Sequence, residues 1–177
     1  MILGMSLSAF TTLHVVISLI GIVTGLVVAY EMLRGRDSST WTALFLGTTV
    51  LTSVTGFFFP FAGIKPPHIF GAISLVVLAV AIAALYAYRL SGAWRGAYVA
   101  SSLFALYLNV FVGVVQSFQK WAPLNRLAPT QTEAPFLVAQ AIVLALFVWI
   151  GLIAFRRFHT GVIGAGLRSS AIDAKFG

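Results

Sequence analysis

Two histidines, His14 and His68, are the side chains in this sequence best suited to hold a cofactor or a metal. Each stands near the start of an apolar stretch, His14 in "TLHVVISLIGIVTG" and His68 in "GFFFPFAGIKPPHIFG". A neutral imidazole offers a nitrogen lone pair, so two of them can hold a haem iron from both faces or share a transition metal. In the haem reading His14 and His68 are the axial ligands of one b-type haem. Ser18, Gly21, Gly71 and Ala72 leave room for the ring, and Phe57, Phe58, Phe59 and Phe61 supply an apolar wall. A relay across a membrane wants a second pair, and the remaining histidine, His159, stands alone beside Arg156 and Arg157. In the metal reading Gln116, Glu133 or water completes the shell. That shell is thin, because the chain has no cysteine and imidazole and thiolate are the favoured donors. The bland reading makes each histidine a satisfied side chain near a helix end, hydrogen-bonded to a carbonyl, a headgroup or a Gln or Thr group.

Other polar residues recur at helical spacing. Thr11, His14, Ser18, Gly21, Gly25 and Val28 form one stripe, and Ser102, Asn109, Gly113, Gln116 and Lys120 form another. Thr48, Thr49, Thr52, Ser53 and Thr55 crowd a third segment, and Gln140 lies in the last. Asn109 falls near the middle of its segment, where an unpaired amide in hydrocarbon costs several kcal/mol, so it must point inward. The interior polar set is therefore Ser18, Thr52, Asn109, Gln116 and Gln140. Such groups serve as hydrogen-bond glue between helices, and they can also line a path for a small neutral solute. Enzymatic chemistry is poorly supported, and the reading leans against an enzyme. No G-x-S-x-G or H-E-x-x-H occurs, and no segment carries an Asp, Glu, Lys or Arg near its centre.

The elements that must position these groups follow from composition. Of 177 residues 60% are hydrophobic and 8% charged, against about 25% charged in soluble domains. So little charge cannot cover a globule, and the solvent for most of this surface is lipid. Five stretches reach the ~20 apolar residues that cross a bilayer: Leu7–Leu33, Trp41–Phe59, Pro67–Leu90, Arg95–Gln119 and Pro135–Phe155. The expected fold is an all-α polytopic bundle of five transmembrane helices over 1–158, followed by a Gly/Ser-rich tail over 159–177. The short "SGAWR" turn makes the third and fourth helices antiparallel neighbours. Pro135 suits the first turn of the last helix, with Thr132 or Glu133 helping to cap it. Glu31, one turn from Arg34, reads as an interfacial ion pair.

Basic residues set the direction. Arg34, Arg36, Arg89, Arg95, Arg156, Arg157, Arg168 and Lys175 fall on one side, and only Lys65, Lys120 and Arg126 on the other. The positive-inside rule then puts the N-terminus outside and the C-terminus in the cytoplasm. The net charge of +7 thus reflects topology, and nucleic acid is not an expected partner. In this orientation His14 lies about 5 Å inside the outer interface, His68 is at similar depth, and Thr52, Thr55, Gln116 and Gln140 share the outer half. The outer loop "KWAPLNRLAPTQTEAP" reads equally as a lid over the histidines, a connector or a docking surface for a partner subunit.

"PPHIFGAISL", "ALYLNVFVGVVQSFQK" and "LAPTQTEAPF" together resemble a group of small bacterial inner-membrane proteins, over most of the chain from His14 to Phe155. That resemblance implies a multi-pass inner-membrane location and brings no activity with it. In size and in its helix-borne histidines the chain also resembles small membrane b-type cytochromes, from which it departs in having few histidines. The reading with most support is a non-enzymatic membrane component, an accessory, assembly or binding protein with a small polar site in its outer half. Its partners are the lipid bilayer and a membrane subunit, and no soluble substrate is identifiable. The alternatives are the haem protein and a permease lined by Asn109, Gln116 and Thr52.

Overall fold

The computed structural model describes residues 2, 4–36, 39–60 and 66–158. The expected tail 159–177 with His159, and also Phe61 and Lys65, lie outside them. Six α-helices make up the described chain: α1 (Leu7–Leu33), α2 (Ser39–Gly56), α3 (Pro66–Ile82), α4 (Trp94–Lys120), α5 (Ala122–Leu127) and α6 (Ala134–Arg157). No strand occurs among the described residues; an isolated bridge joins Ile2 and Met5.

Local chemistry explains the helix ends. The Ser6 hydroxyl accepts the Ala9 N–H at 3.2 Å and caps α1. At the other end the N–H groups of Gly35 and Arg36 bond back to the carbonyls of Met32 and Glu31, a Schellman closure. It needs a left-handed residue, and Gly35 supplies φ +68°. The third expected span, drawn to Leu90, is shorter. After Ile82 the helix widens into a π turn over Ala83–Ala87, and Arg89 and Leu90 take positive φ to reverse the chain. The rings of Tyr88 and Trp94 stack across this turn at 3.8 Å. α6 starts beside its proline as expected, but Glu133 supplies no side-chain cap. Its carboxylate turns back to the N–H and hydroxyl of Thr130 and the N–H of Thr132.

Four helical segments are long and apolar enough to cross a membrane: Leu7–Leu33, His68–Ala87, Trp94–Lys120 and Ala134–Arg157. α2 is not one of them, because eight of its 18 residues (Ser39, Thr40, Thr42, Thr48, Thr49, Thr52, Ser53, Thr55) carry hydroxyls. α2 packs most broadly on α1 and also touches α3 and α4. α4 contacts every other helix and is the most buried of the four apolar segments, whereas α6 is the least. α3 and α4 are packed neighbours, joined by the tight turn just described.

Arg34, Arg36, Arg89, Arg95, Arg156 and Arg157 stand at helix termini on one end of the bundle, where the Gly35 turn meets the Arg157 carbonyl. The main apolar core occupies the half beside this basic end, built on Met32, Phe45, Leu78, Tyr98, Leu106 and Phe158. Glu31 pairs here with Arg36 at 3.3 Å, not with Arg34 as its spacing suggested. The Schellman turn brings Arg36 back over α1, and Arg34 lies over the Tyr30 ring instead.

Candidate functional site

The two histidines flank the far end of α2 on different sides. The His14 Nδ1 lies 2.8 Å from the Thr55 hydroxyl, and the ring packs edge-on against Phe59. Thr55 has one hydroxyl proton and directs it at the Leu51 carbonyl, 2.7 Å away. With that proton engaged, the Thr55 oxygen can accept from the His14 Nδ1. His68 instead packs on the Phe57 ring at 5.8 Å. Thr55 and Phe57 are two residues apart, about 160° around a helical path at 100° per residue. The room expected at Gly71 is filled, since a Cβ there would come 3.1 Å from the Phe57 ring.

A haem held by both residues needs two imidazoles facing across a common space. In this structure His14 meets Thr55 and Phe59, and His68 meets the Phe57 ring. No three His, Cys, Asp or Glu side chains come together among the described residues, and both oxygens of Glu133 are engaged by its own loop. The outer loop is anchored on α4 and α6. Asn125 donates to the Phe118 carbonyl, and Ala128 packs with Phe118 and Phe136 on α4 and α6.

Three of the five interior polar residues belong to one interface. Gly21 of α1 faces α2 and α4, and a Cβ placed there would meet Asn109 Nδ2, Thr49 Oγ and Thr48 Oγ at 3.2, 3.2 and 3.3 Å. Seven residues along each helix, two turns and so nearly the same face, are His14, Thr55 and Gln116. The two polar layers stand about 10 Å apart on the same three helices, at 1.5 Å per residue. Thr52 lies between them on α2, and Lys120, within electrostatic reach of His14, lies beyond. Gly113 faces α1 within this stretch, with Ile22 3.7 Å from where its Cβ would be.

The column has a floor. A Cβ at Gly25 would approach Leu106 to 2.5 Å and Phe45 to 2.8 Å, so α1, α2 and α4 close on each other there without space. From Gly25 to His14 is roughly 16 Å along α1, about half of a ~30 Å hydrocarbon layer.

What marks this interface chemically is unmet hydrogen bonding. Buried polar atoms of Thr49, Thr52, Asn109 and Gln116 have no partner among the described residues, and each such atom left unmet costs about 1–3 kcal/mol. By contrast Ser18, Thr24 and Thr48 bond to carbonyls of their own helices. Gln140 stands apart. Its Nε2 donates to the Phe111 carbonyl from α6, about 160° around α4 from Asn109. Its Oε1 and the Ser102 hydroxyl are unpartnered outside the column. The sequence reading named Thr49 on this segment but left it out of the interior polar set. Its period-matched neighbours on α2 were legible, but only packing shows which hydroxyls leave their own helix. Two concavities of about 360 and 280 Å³ lie on the α4–α6 side and do not touch the column, whose polar atoms enclose a narrow seam.

Comparison of the chain with protein-family models, curated proteins and solved structures gives no match.

Proposed function

We propose that this chain is an integral inner-membrane protein whose outer half binds a small neutral, hydrogen-bonding solute, and that it acts as a binding or accessory component of the membrane rather than as an enzyme. All five long helices cross the bilayer, with the N-terminus outside and the basic end in the cytoplasm. α2 crosses although it is rich in hydroxyls, because α1, α3 and α4 surround it and many of its hydroxyls bond to its own carbonyls. The observation that carries the reading is the set of unpartnered atoms of Thr49, Thr52, Asn109 and Gln116 on one interface. They combine donors and acceptors, and the interface holds no carboxylate, which favours an uncharged occupant. The Gly25–Phe45–Leu106 floor favours a site reached from one side over a through-path.

Thiol labelling tests this directly, since the chain has no cysteine of its own. A membrane-impermeant thiol reagent added outside should modify Thr52→Cys and Gln116→Cys. It should also modify Ala122→Cys, at an exposed position of the outer loop, while Ser102→Cys below the floor and Ser91→Cys at the basic end stay protected. Protection of Thr52→Cys and Gln116→Cys alongside a reactive Ala122→Cys would reject the site and leave the topology standing. Reactive Ser91→Cys from outside would reject the topology.

A further inference from the structure

The α4–α6 side of the bundle carries a feature unrelated to the polar column. Two concavities lie between these helices. One, about 280 Å³, is walled by Leu103, Phe104, Tyr107, Leu144, Phe147 and Leu152. The other, about 360 Å³, opens at the basic end and is lined by Gly92, Gly96 and Arg95. Val99 and Phe155 border both, so the two lie end to end along one groove between the helices, with the Phe155 ring at their junction. Gly96 makes this arrangement possible. A Cβ there would come 2.9 Å from the Phe155 ring and force it out of its place at the junction.

The two ends of the groove differ sharply in chemistry. Its length is aromatic and aliphatic, while its mouth holds the Arg95 guanidinium. Of the described carboxylates, Glu31 is engaged by Arg36 and Glu133 by its own loop at the opposite end, so neither neutralises Arg95. α4 begins at this mouth with no capping side chain and no acidic residue in its first turn, which adds the positive end of its dipole. Arg156 and Arg157 close α6 at the same end. Basic pockets between transmembrane helices near the cytoplasmic surface suit anionic lipid headgroups.

We infer that this groove seats one anionic phospholipid, with an acyl chain along the Leu103–Phe147 length and the phosphate at Arg95. The assignment rests on the membrane embedding proposed above and is independent of the polar column. An amphiphile matches a groove that is apolar along its length and cationic at its mouth. A free phosphate would use the mouth alone. A docking helix would call for small residues along the whole groove; here Gly92, Ala93, Gly96 and Ala97 gather at the mouth, and the length is walled mostly by Phe, Leu and Tyr.

The test uses the full chain, stripped of lipid in a neutral detergent. Its melting temperature is followed while phosphatidylglycerol, phosphatidylcholine with the same chains, or inorganic phosphate is added. Phosphatidylglycerol should act at about fivefold lower concentration than phosphatidylcholine, the contribution of one basic side chain near an anionic surface, and phosphate alone should have no effect. Arg95→Gln should erase that ratio, Arg95→Lys should keep part of it, and Arg126→Gln at the opposite end should leave it unchanged. Equal action of the two lipids on the native chain would overturn the assignment. So would stabilisation by phosphate alone, or a ratio that survives Arg95→Gln in a variant that melts cooperatively.

Discussion

On the basic side of Gly25, helices α1, α2 and α4 meet in a mainly apolar core that also buries Thr42 and the unpartnered Ser102 hydroxyl; on the far side the same three helices face one another chiefly with hydroxyls and amides. Phe45, Met32, Tyr98, Val99 and Leu106 are almost wholly buried in the first region, and Tyr98 places its hydroxyl 3.4 Å from that of Thr42. In the second, Thr49, Thr52, Asn109 and Gln116 are buried without partners. The difference separates close packing from unmet hydrogen bonding within one interface. Close-packed apolar contacts hold the helices in register, and the unmet polar groups are tolerated because that contact already fixes the backbone. Unmet polar groups are costly to retain, so a use for them is the natural expectation.

The comparison can be broken most severely at its boundary. Phe45→Ala should destabilise the protein by about 3–5 kcal/mol, through lost contacts and the cavity left behind. In the same variant Ser102→Cys, one turn below the floor, should become reactive to thiol reagent from outside, since part of the floor is gone. Denaturant unfolding in detergent reads the first effect and labelling the second. A loss below about 1 kcal/mol would mean that the apolar half is less tightly packed than its burial implies.

A smaller effect sharpens the other side. Asn109→Leu should leave stability within about 1 kcal/mol of the native chain, or raise it, because the amide nitrogen it removes has no partner to strand. Labelling at Thr52→Cys should fall as the leucine fills the column. A loss of ~2 kcal/mol or more would show that Asn109 is structural glue and not part of a binding site.

The smallest effect lies outside both halves, at the loop before α6. Partial desolvation favours the neutral form of the Glu133 carboxyl, but bonds from Thr130 and Thr132 outweigh it and hold the group below its ordinary value. A depressed carboxylate contributes stability above its unfolded value and loses it as pH falls through the folded one. Native chain and Glu133→Gln should thus differ slightly in melting temperature near neutral pH and converge well below about pH 4, the usual carboxylate range. A difference that persists in acid would assign the effect to the loop's shape and not to its charge.

Much of the architecture was legible because lipid imposes strict rules. Apolar stretches of sufficient length, sparse charge and basic residues at alternate breaks define long helices whatever their partners. The stripes through Gly21 and Gly25 and through Asn109 and Gln116 were readable for the same reason, since period alone places residues on a face. The π turn at Ala83–Ala87, the α5 helix and the Glu31–Arg36 pair were not, because each depends on how the chain reverses in space.

The histidines mark the limit most clearly. Similar depth and direction along the chain made His14 and His68 a plausible pair, but depth is one coordinate of three. Which face of α2 each ring meets is set by the packing of α1 and α3 around it, and that placed them on different sides. The sequence by itself determined a helical chain built for lipid and the polarity of its two ends, because transfer free energies act residue by residue. Tertiary structure alone decided which polar atoms keep their own helix as partner and which are left for something else, because a hydrogen bond depends on neighbours that are distant along the chain.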